Sequence, residues 1–483
     1  MPTMGMPMTQ ALRNPAMGGI EDVFHRALAL SRQAPPTFEE RRDRLARLRA
    51  LVVENETRFA ETISADFGNR SSTETLIAET LFILAEIKHT MRTLKRWMAP
   101  RHVATELQYF PATNKLLPQP LGVVGIISPW NYPLQLTLVP AIAAIAAGNR
   151  VMIKPSELVP QFSALLQRLI AERFADTELM VTDIDGDISK RFAALPFDHL
   201  LFTGSTAVGR LVAEAAGRNL TPVTLELGGK SPVIIDKSAD ITEAAARIVY
   251  GKLMNAGQTC IAPDYVLIAR KDMDEFVSKA NSAASQMFGT NPGNADYTSI
   301  VSDRHYARLE ALVQDAVARG AKITQPATPD DPAWKSRRKF PPTFVSGATA
   351  DMKVMQEEIF GPILPVLACD STEEAIATIN AGDRPLALYW FGKDDAARDD
   401  VLTRTVSGGV TVNDCLFHVA QAYQPMGGVG ASGIGSYHGE WGFTTFSQMK
   451  PVFYRSPYNR FADVRPPYGA KIARMIKLLR FMS

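Results

Sequence analysis

The sequence predicts an α/β protein with doubly wound parallel sheets, on three observations. Apolar runs at 122–127, 151–154, 179–184, 199–202 and 222–227 have strand length and are bounded by Gly, Pro or polar turn residues. The stretches between them, 134–147, 161–175, 187–194 and 206–218, carry helical patterning and the length of a crossover, which parallel neighbours require. Past Gly228 the alternation resumes, with a strand over 233–235, a helix over 241–253, a loop around Cys260 and a strand over 265–269. A second α/β unit follows from it. Ligands in such sheets sit beyond the carboxyl ends of the strands, so the residues there are the first to search for chemistry.

Composition narrows the class. With 483 residues the chain is too long for one small core, and 46% hydrophobic with 21% charged residues marks a soluble globular protein rather than a disordered one. Fifty-two Lys and Arg against 50 Asp and Glu leave +2, too little to draw nucleic acid or membrane by charge. Three cysteines, at 260, 369 and 415, cannot build a disulfide framework and point to a reducing compartment. The most apolar window, 134–147, is shorter than the ~20 residues a membrane span needs. Residues 1–19 lack a basic region followed by an apolar block, so no secretory signal is expected and the protein is placed in the cytoplasm.

The chain opens with helices. Thr37-Phe38-Glu39-Glu40 has capping-box form and starts an amphipathic run to about Phe67. Ser71 to Glu74 repeats the signature ahead of Leu76, Ile77, Leu81, Leu84, Ile87 and Met91, a helix with one apolar face that ends near Pro100. Residues 103–118, with Pro111 and Asn114, form an extended ribbon. The 326–342 stretch, including Lys335 to Lys339 with four cations, is a solvated loop in preference to a nucleic-acid patch. No internal repeat is found.

Two phosphate-like patterns lack their context. Gly428 to Gly433 spells GxGxxG with neither a preceding strand nor a following helix, and is assigned to a tight or mobile loop. Gly204 to Gly209 has P-loop spacing, but Arg210-Leu211 stands where Lys and Ser or Thr are needed. The strand into Thr203-Gly204-Ser205-Thr206 still offers a helix start, either for a pyrophosphate or as an ordinary Ser cap. Lys154-Pro155-Ser156-Glu157 puts a cation and a carboxylate at a strand end, suited to ribose hydroxyls and to NAD over NADP, or else to a solvated turn. Asn131 ends another strand, as an oxyanion donor or a turn residue. Glu226 interrupts an apolar strand end, as a bridged structural carboxylate or a general base of raised pKa.

Taken together, Pro129-Trp130-Asn131, Lys154 to Glu157, Phe202 to Thr206, Leu225-Glu226-Leu227-Gly228-Gly229-Lys230-Ser231, Asn255-Ala256-Gly257-Gln258-Thr259-Cys260 and Glu357-Glu358-Ile359-Phe360-Gly361-Pro362 resemble, in order, the motifs of the aldehyde dehydrogenase superfamily. The resemblance covers nearly the whole chain. The stretch Met426 to Gly439, with Phe443 to Phe446, is similar to the class-three branch. The Met-bearing leader and Arg465 to Gly469 resemble its bacterial coniferyl aldehyde dehydrogenases. The resemblance implies Cys260 as nucleophile, Glu226 as general base and Asn131 as oxyanion donor beside the Cys260 N–H. It implies cofactor contacts from Trp130, Lys154, Glu157, Gly204, Ser205, Glu358 and Phe360, with NAD as cofactor, NADP possible; no metal is expected, because the seven His form no HExxH pattern and the chain has no CxxC. It also implies an aldehyde dehydrogenase-like fold: a Rossmann-type NAD-binding domain over 1–226 with the bridging ribbon 101–118, a catalytic domain over 227–418, a bridging segment over 419–483, and a homodimer.

The chemistry agrees with these assignments. Cys260 attacks an aldehyde, the oxyanion is held, hydride leaves to the nicotinamide, and Glu226 activates water against the thioester. The resemblance also implies hydrolysis over transfer to coenzyme A, because acylating members of the superfamily typically lack the carboxylate at the Glu226 position. Coniferaldehyde is the implied substrate, with Trp130, Tyr132, Tyr437 and Phe443 as pocket candidates; medium- or long-chain aliphatic aldehydes are the alternative. A non-catalytic structural relative would have lost Cys260, Glu226 or Asn131, and a thiol hydrolase needs a His that nothing near Cys260 in sequence supplies. Cys369 and Cys415 are assigned as structural. The tail 471–483 alternates apolar residues with Lys471, Arg474, Lys477 and Arg480, a docked helix or a weak peripheral contact with an anionic membrane.

Overall fold

A computed structural model describes residues 19–184, 187–326, 331–458, 466 and 468–482. The leader 1–18, and Arg465 and Pro467 of the carboxyl-terminal motif, lie outside the described residues.

Three sheets organise them. The first runs, in spatial order, Gly433–Ile434, Val223–Glu226, His199–Thr203, Val123–Ile127, Arg150–Lys154 and Leu179–Val181. The first pair is antiparallel and the other pairs are parallel. Strand order reverses between Val123–Ile127 and His199–Thr203, which opens the crevice where doubly wound sheets bind ligands. The second sheet runs Lys322–Thr324, Thr343–Ser346, Ile363–Ala368, Tyr265–Ile268, Pro232–Ile235, Ala387–Phe391 and Gly409–Val412, parallel except for its first pair. The third is the ribbon: Arg101–Val103, Thr113–Pro120 and Ser447–Tyr454, antiparallel throughout.

The crossover helices fall where the pattern puts them, at Gln135–Ala147, Pro160–Ala171, Ile188–Ala193 and Thr206–Arg218. Gln135–Ala147 is buried on every side apart from Gln135, because it lies between the first sheet and the amino-terminal helices. One apolar core joins Val124, Leu138, Ile248, Val266 and Ile363, so the two α/β units share an interior.

The helical opening departs from the sequence pattern in two places. Thr37 makes the full capping box with Glu40, but the run to Phe67 is two helices, Phe38–Glu54 and Glu56–Phe67. Asn55 breaks it: its side chain donates to the Leu51 carbonyl and accepts from Arg58, local bonds that compete with the helix. Ser71 does not cap the next helix; its hydroxyl bonds Asp296 instead. That helix contains a π-turn, Leu76–Thr80, before Leu81–Met98. The extra residue rotates the phase, so Leu76, Ile77 and Leu81 are exposed and Glu79 is buried.

Two loops also differ from expectation. Gly433–Ile434, at the end of the GxGxxG stretch, is an edge strand beside Leu225 and Glu226 rather than only a turn. In the 326–342 stretch, of which 327–330 lie outside the described residues, Lys335 is a solvated cation paired with Glu310. Lys339 is buried, and Arg338 donates to the carbonyls of Phe67 and Ile300.

Candidate active site

The carboxyl edge of the first sheet gathers Asn131, Lys154, Glu157, Gly204, Ser205 and Glu226, each directly at or after the end of a parallel strand. Cys260 reaches the same region from the second unit, on the loop after the helix Ile241–Leu253. That loop is strained: Asn255 (φ 51°), Ala256 (φ 51°) and Gly257 (φ 74°) are left-handed in succession. Only glycine takes this conformation freely. A Cβ on Gly257 would lie 2.3 Å from the Gly361 carbonyl oxygen, which holds the loop against the Glu358 to Pro362 segment. Gln258 pins the other side, donating to the Asn255 and Ser299 carbonyls and accepting from the Val301 N–H.

Cys260 is half-buried, and burial first, then the carboxylates of Glu358 and Glu226, push its thiol up to about 12. Its own N–H and that of Ile261 act in the opposite direction, favouring the thiolate. Glu226 is 3% exposed, and neither carboxyl oxygen has a hydrogen-bond partner among the described residues. Burial therefore raises its pKa well above the ordinary carboxylate value. The bridged alternative for Glu226 does not hold: no cation pairs with it among the described residues. Glu358 lies with its carboxyl against Gly228, where a Cβ would fall 2.0 Å from Oε2. Burial and Asp264 raise it to about 8. Asn131 is buried, and its side-chain amide donates to the Gln258 carbonyl at 3.1 Å.

The cofactor candidates divide. Lys154 is buried and reaches exposed Glu157 at 2.8 Å; burial works against ionised Glu157, but this hydrogen bond wins and the pKa is lowered. Ser205 is exposed at the start of Thr206–Arg218 and caps Val208 N–H, so the ordinary cap is realised. A Cβ on Gly204 would meet the Phe202 ring at 2.5 Å, so the chain passes there only as glycine. At the switch point the buried hydroxyls of Ser128 and Thr203 find no partner among the described residues. A crevice with orphaned hydroxyls, a helix start, and a Lys–Glu pair at its rim fits a nicotinamide dinucleotide. Trp130 packs edge-on against Phe360 at 5.4 Å and against His305 at 5.2 Å.

A cavity of about 180 Å³ opens onto Cys260, lined also by Tyr132, Thr259, Cys415, Tyr437 and His438. Of the four aromatic pocket candidates, Tyr132 and Tyr437 are in its wall. Trp130 lies with Phe360, and Phe443 is in the core against Trp97. Three residues of the site are not among the candidates that the sequence singles out. Cys415, expected to be purely structural, lines the cavity; His438 does too, held near pKa 4 by burial and hence neutral. Lys252 is buried without a hydrogen-bond partner among the described residues, and burial lowers it to about 8 against the opposing charges of Asp264 and Glu358. The i to i+8 step from Lys252 to Cys260 suggests no contact; only the folded-back loop brings them near Glu358 together. Among the described residues no His, Cys, Asp and Glu group could hold a metal.

Residues 20–452 match the model of the aldehyde dehydrogenase family. The chain belongs to that family. The enzyme is 46% identical over 465 residues to the probable coniferyl aldehyde dehydrogenase of Caulobacter vibrioides, covering 95% of this chain and 96% of that one. It is 41% identical over 418 residues to aldehyde dehydrogenase family 3 member A2 of Rattus norvegicus, covering 86% and 84%, in keeping with a class-three-like branch. The solved structure of a Staphylococcus aureus AldH in a substrate-bound state superposes with a TM-score of 0.90 at 38% identity, covering 96% of this chain and 100% of that one. The fold is therefore the aldehyde dehydrogenase fold, and the family uses NAD(P).

Proposed function

We propose that the enzyme oxidises an aromatic, conjugated aldehyde of the coniferaldehyde type to its carboxylic acid with NAD, through Cys260, Glu226 and Asn131. The observation that carries this is the convergence of a half-buried thiol, an unpartnered carboxyl of raised pKa and a buried amide at one sheet edge, below an aromatic-walled cavity. Cys260 adds to the carbonyl carbon as its thiolate, the form that its own N–H and that of Ile261 favour, with the thiol proton given up to solvent beforehand, so that Glu226 stays free for the later step. The Asn131 amide and the Cys260 N–H take the developing oxyanion, the amide exchanging its Gln258 carbonyl for it. The bound nicotinamide supplies the hydride acceptor. Glu226 then removes a proton from water as its oxygen attacks the thioester carbon, and the acid leaves with Cys260 restored.

Lys154 and Glu157 would hold the adenine-side ribose, Gly204 and Ser205 the pyrophosphate, and Glu358, Phe360 and Trp130 the nicotinamide end. Ionised Glu157 repels a 2′-phosphate, which supports NAD over NADP. The aromatic substrate rests on the named relative and on the Tyr132 and Tyr437 wall. The aliphatic contribution of Ile77, Leu416, Val419 and Met426 favours straight-chain aldehydes as second substrates. Comparing kcat/KM on coniferaldehyde and on a straight-chain aldehyde, by NADH absorbance, tests the assignment; higher efficiency on the straight chain overturns it. Residues 1–226, 227–418 and 419–483 serve as cofactor, catalytic and bridging parts of a cytoplasmic homodimer, paired through the three-stranded ribbon. Light scattering of the purified enzyme checks the pairing: a monomer contradicts it.

A further inference from the structure

We infer that Arg70 is the positioning residue for Asn131, a buried guanidinium that fixes the direction of the oxyanion donor; this rests on the role proposed for Asn131. The Arg70 side chain is wholly buried, and its Nη1 donates to the Asn131 backbone carbonyl at 3.1 Å. Asn255 Nδ2 donates to the same carbonyl at 2.9 Å. A carbonyl gripped by two donors cannot turn, so the peptide of Asn131 is fixed and its side-chain amide is aimed.

The guanidinium is fixed in turn. Glu79 pairs with it at 2.9 Å with both side chains fully buried, and Glu79 Oε2 accepts from the N–H groups of Leu134 at 2.7 Å and Gln135 at 3.0 Å. One carboxylate therefore anchors both Arg70 and the segment that follows Asn131. Glu74 lies 3.6 Å from Arg70 and accepts the backbone N–H of Asn255, at the start of the strained Cys260 loop. The guanidinium also faces the rings of Tyr132, at 4.8 Å, and Phe67, at 5.4 Å. Tyr132 bonds Thr259 beside the nucleophile.

Such a buried charge gains little stability over apolar packing, so specific geometry is the better account of its presence. The π-turn Leu76–Thr80 belongs to the same device, because its added residue turns Glu79 inward. Lysine cannot replace Arg70: a point charge lacks the planar guanidinium that turns Nη1 to Asn131 and Glu79 and Nε to Glu74 at once.

A double-mutant cycle on kcat decides the matter, with Arg70→Met, Arg70→Lys and Asn131→Ala in the full-length enzyme, and NADH binding followed by fluorescence. Asn131→Ala is expected to lower kcat by about 10²–10³-fold. Arg70→Met lowers it by roughly 10–100-fold, with aldehyde KM and NADH affinity within about threefold of the parent. Adding Arg70→Met to Asn131→Ala costs less than about threefold more, because the donor being aimed is already gone. Should Arg70→Met fail to fold, Arg70→Lys carries the same comparison. Losses that multiply in the double variant, or Arg70 variants at parental kcat, overturn the inference while leaving the site assignment standing. Parental kcat in Asn131→Ala would instead remove the oxyanion assignment and this inference with it.

Discussion

The Tyr132 hydroxyl lies 2.8 Å from Thr259 Oγ1, a buried hydrogen bond that ties the turn after the first parallel strand to the residue before the nucleophile. Burial keeps Tyr132 a neutral phenol. Tyr132→Phe leaves the Thr259 hydroxyl without this partner, and should cost about 1–2 kcal/mol of stability. Because the bond spans the two units, kcat should also fall, by roughly 3–10-fold. Denaturant unfolding and steady-state kinetics check both.

Glu226 gives a stability prediction of definite sign. Its folded pKa is raised above the unfolded value of about 4.3, so the penalty is absent below that value and grows as pH rises through the interval to the folded pKa. Glu226→Gln should therefore melt higher than the parent at neutral and alkaline pH. The gap should close toward about pH 4. A gap that widens on acidification would contradict a buried, unpaired carboxyl.

Glu358 acts on the nucleophile through its charge. Burial and Asp264 hold it at about 8, and its carboxylate raises Cys260 more than that of Glu226 does. Glu358→Gln should move the pH midpoint of Cys260 alkylation by iodoacetamide downward, measured without cofactor. An unchanged midpoint would mean that the Glu358 charge does not act on the thiol.

Glu157 is the test of cofactor choice. Lys154 lies 2.8 Å from its carboxylate, and the role proposed for the pair turns that carboxylate toward a ribose 2′-substituent. Glu157→Gln should narrow the preference for NAD over NADP by about tenfold, equivalent to ~1.4 kcal/mol. Ratios of kcat/KM for the two cofactors measure it.

The helix Ala470–Met482 displays Lys471, Arg474 and Lys477, and among the described residues no helix is long and apolar enough to cross a membrane. Deleting 470–483 should abolish flotation with anionic liposomes if the tail makes a peripheral contact. Equal flotation of both forms assigns it no such role.

Much of the site was legible because its residues mark strand ends. Asn131, Lys154, Ser205 and Glu226 follow apolar runs of the right length, and the parallel order of those runs places them on one edge. Glu79 and Arg70 were not legible. A single added residue in the π-turn shifts the helical phase, and a 3.6-residue pattern read through it puts Leu76, Ile77 and Leu81 on the wrong face. Asn55 breaks a run whose apolar spacing continues across it, through bonds that spacing cannot show. Lys252, Cys415 and His438 depend on loop conformation and on contacts between distant segments, so neither the period of Lys252 and Cys415 nor the Met426 to Gly439 motif around His438 gives them a role.

The central claim is that Cys260 carries the substrate as a thioester that Glu226 releases. Glu226→Gln should show one burst of NADH per active site on mixing with NAD and coniferaldehyde. Mass spectrometry of the quenched protein should then find a single acyl group, on the peptide bearing Cys260, and none in Cys260→Ala. Full steady-state turnover by Glu226→Gln, or an acyl group on another residue, would contradict the account.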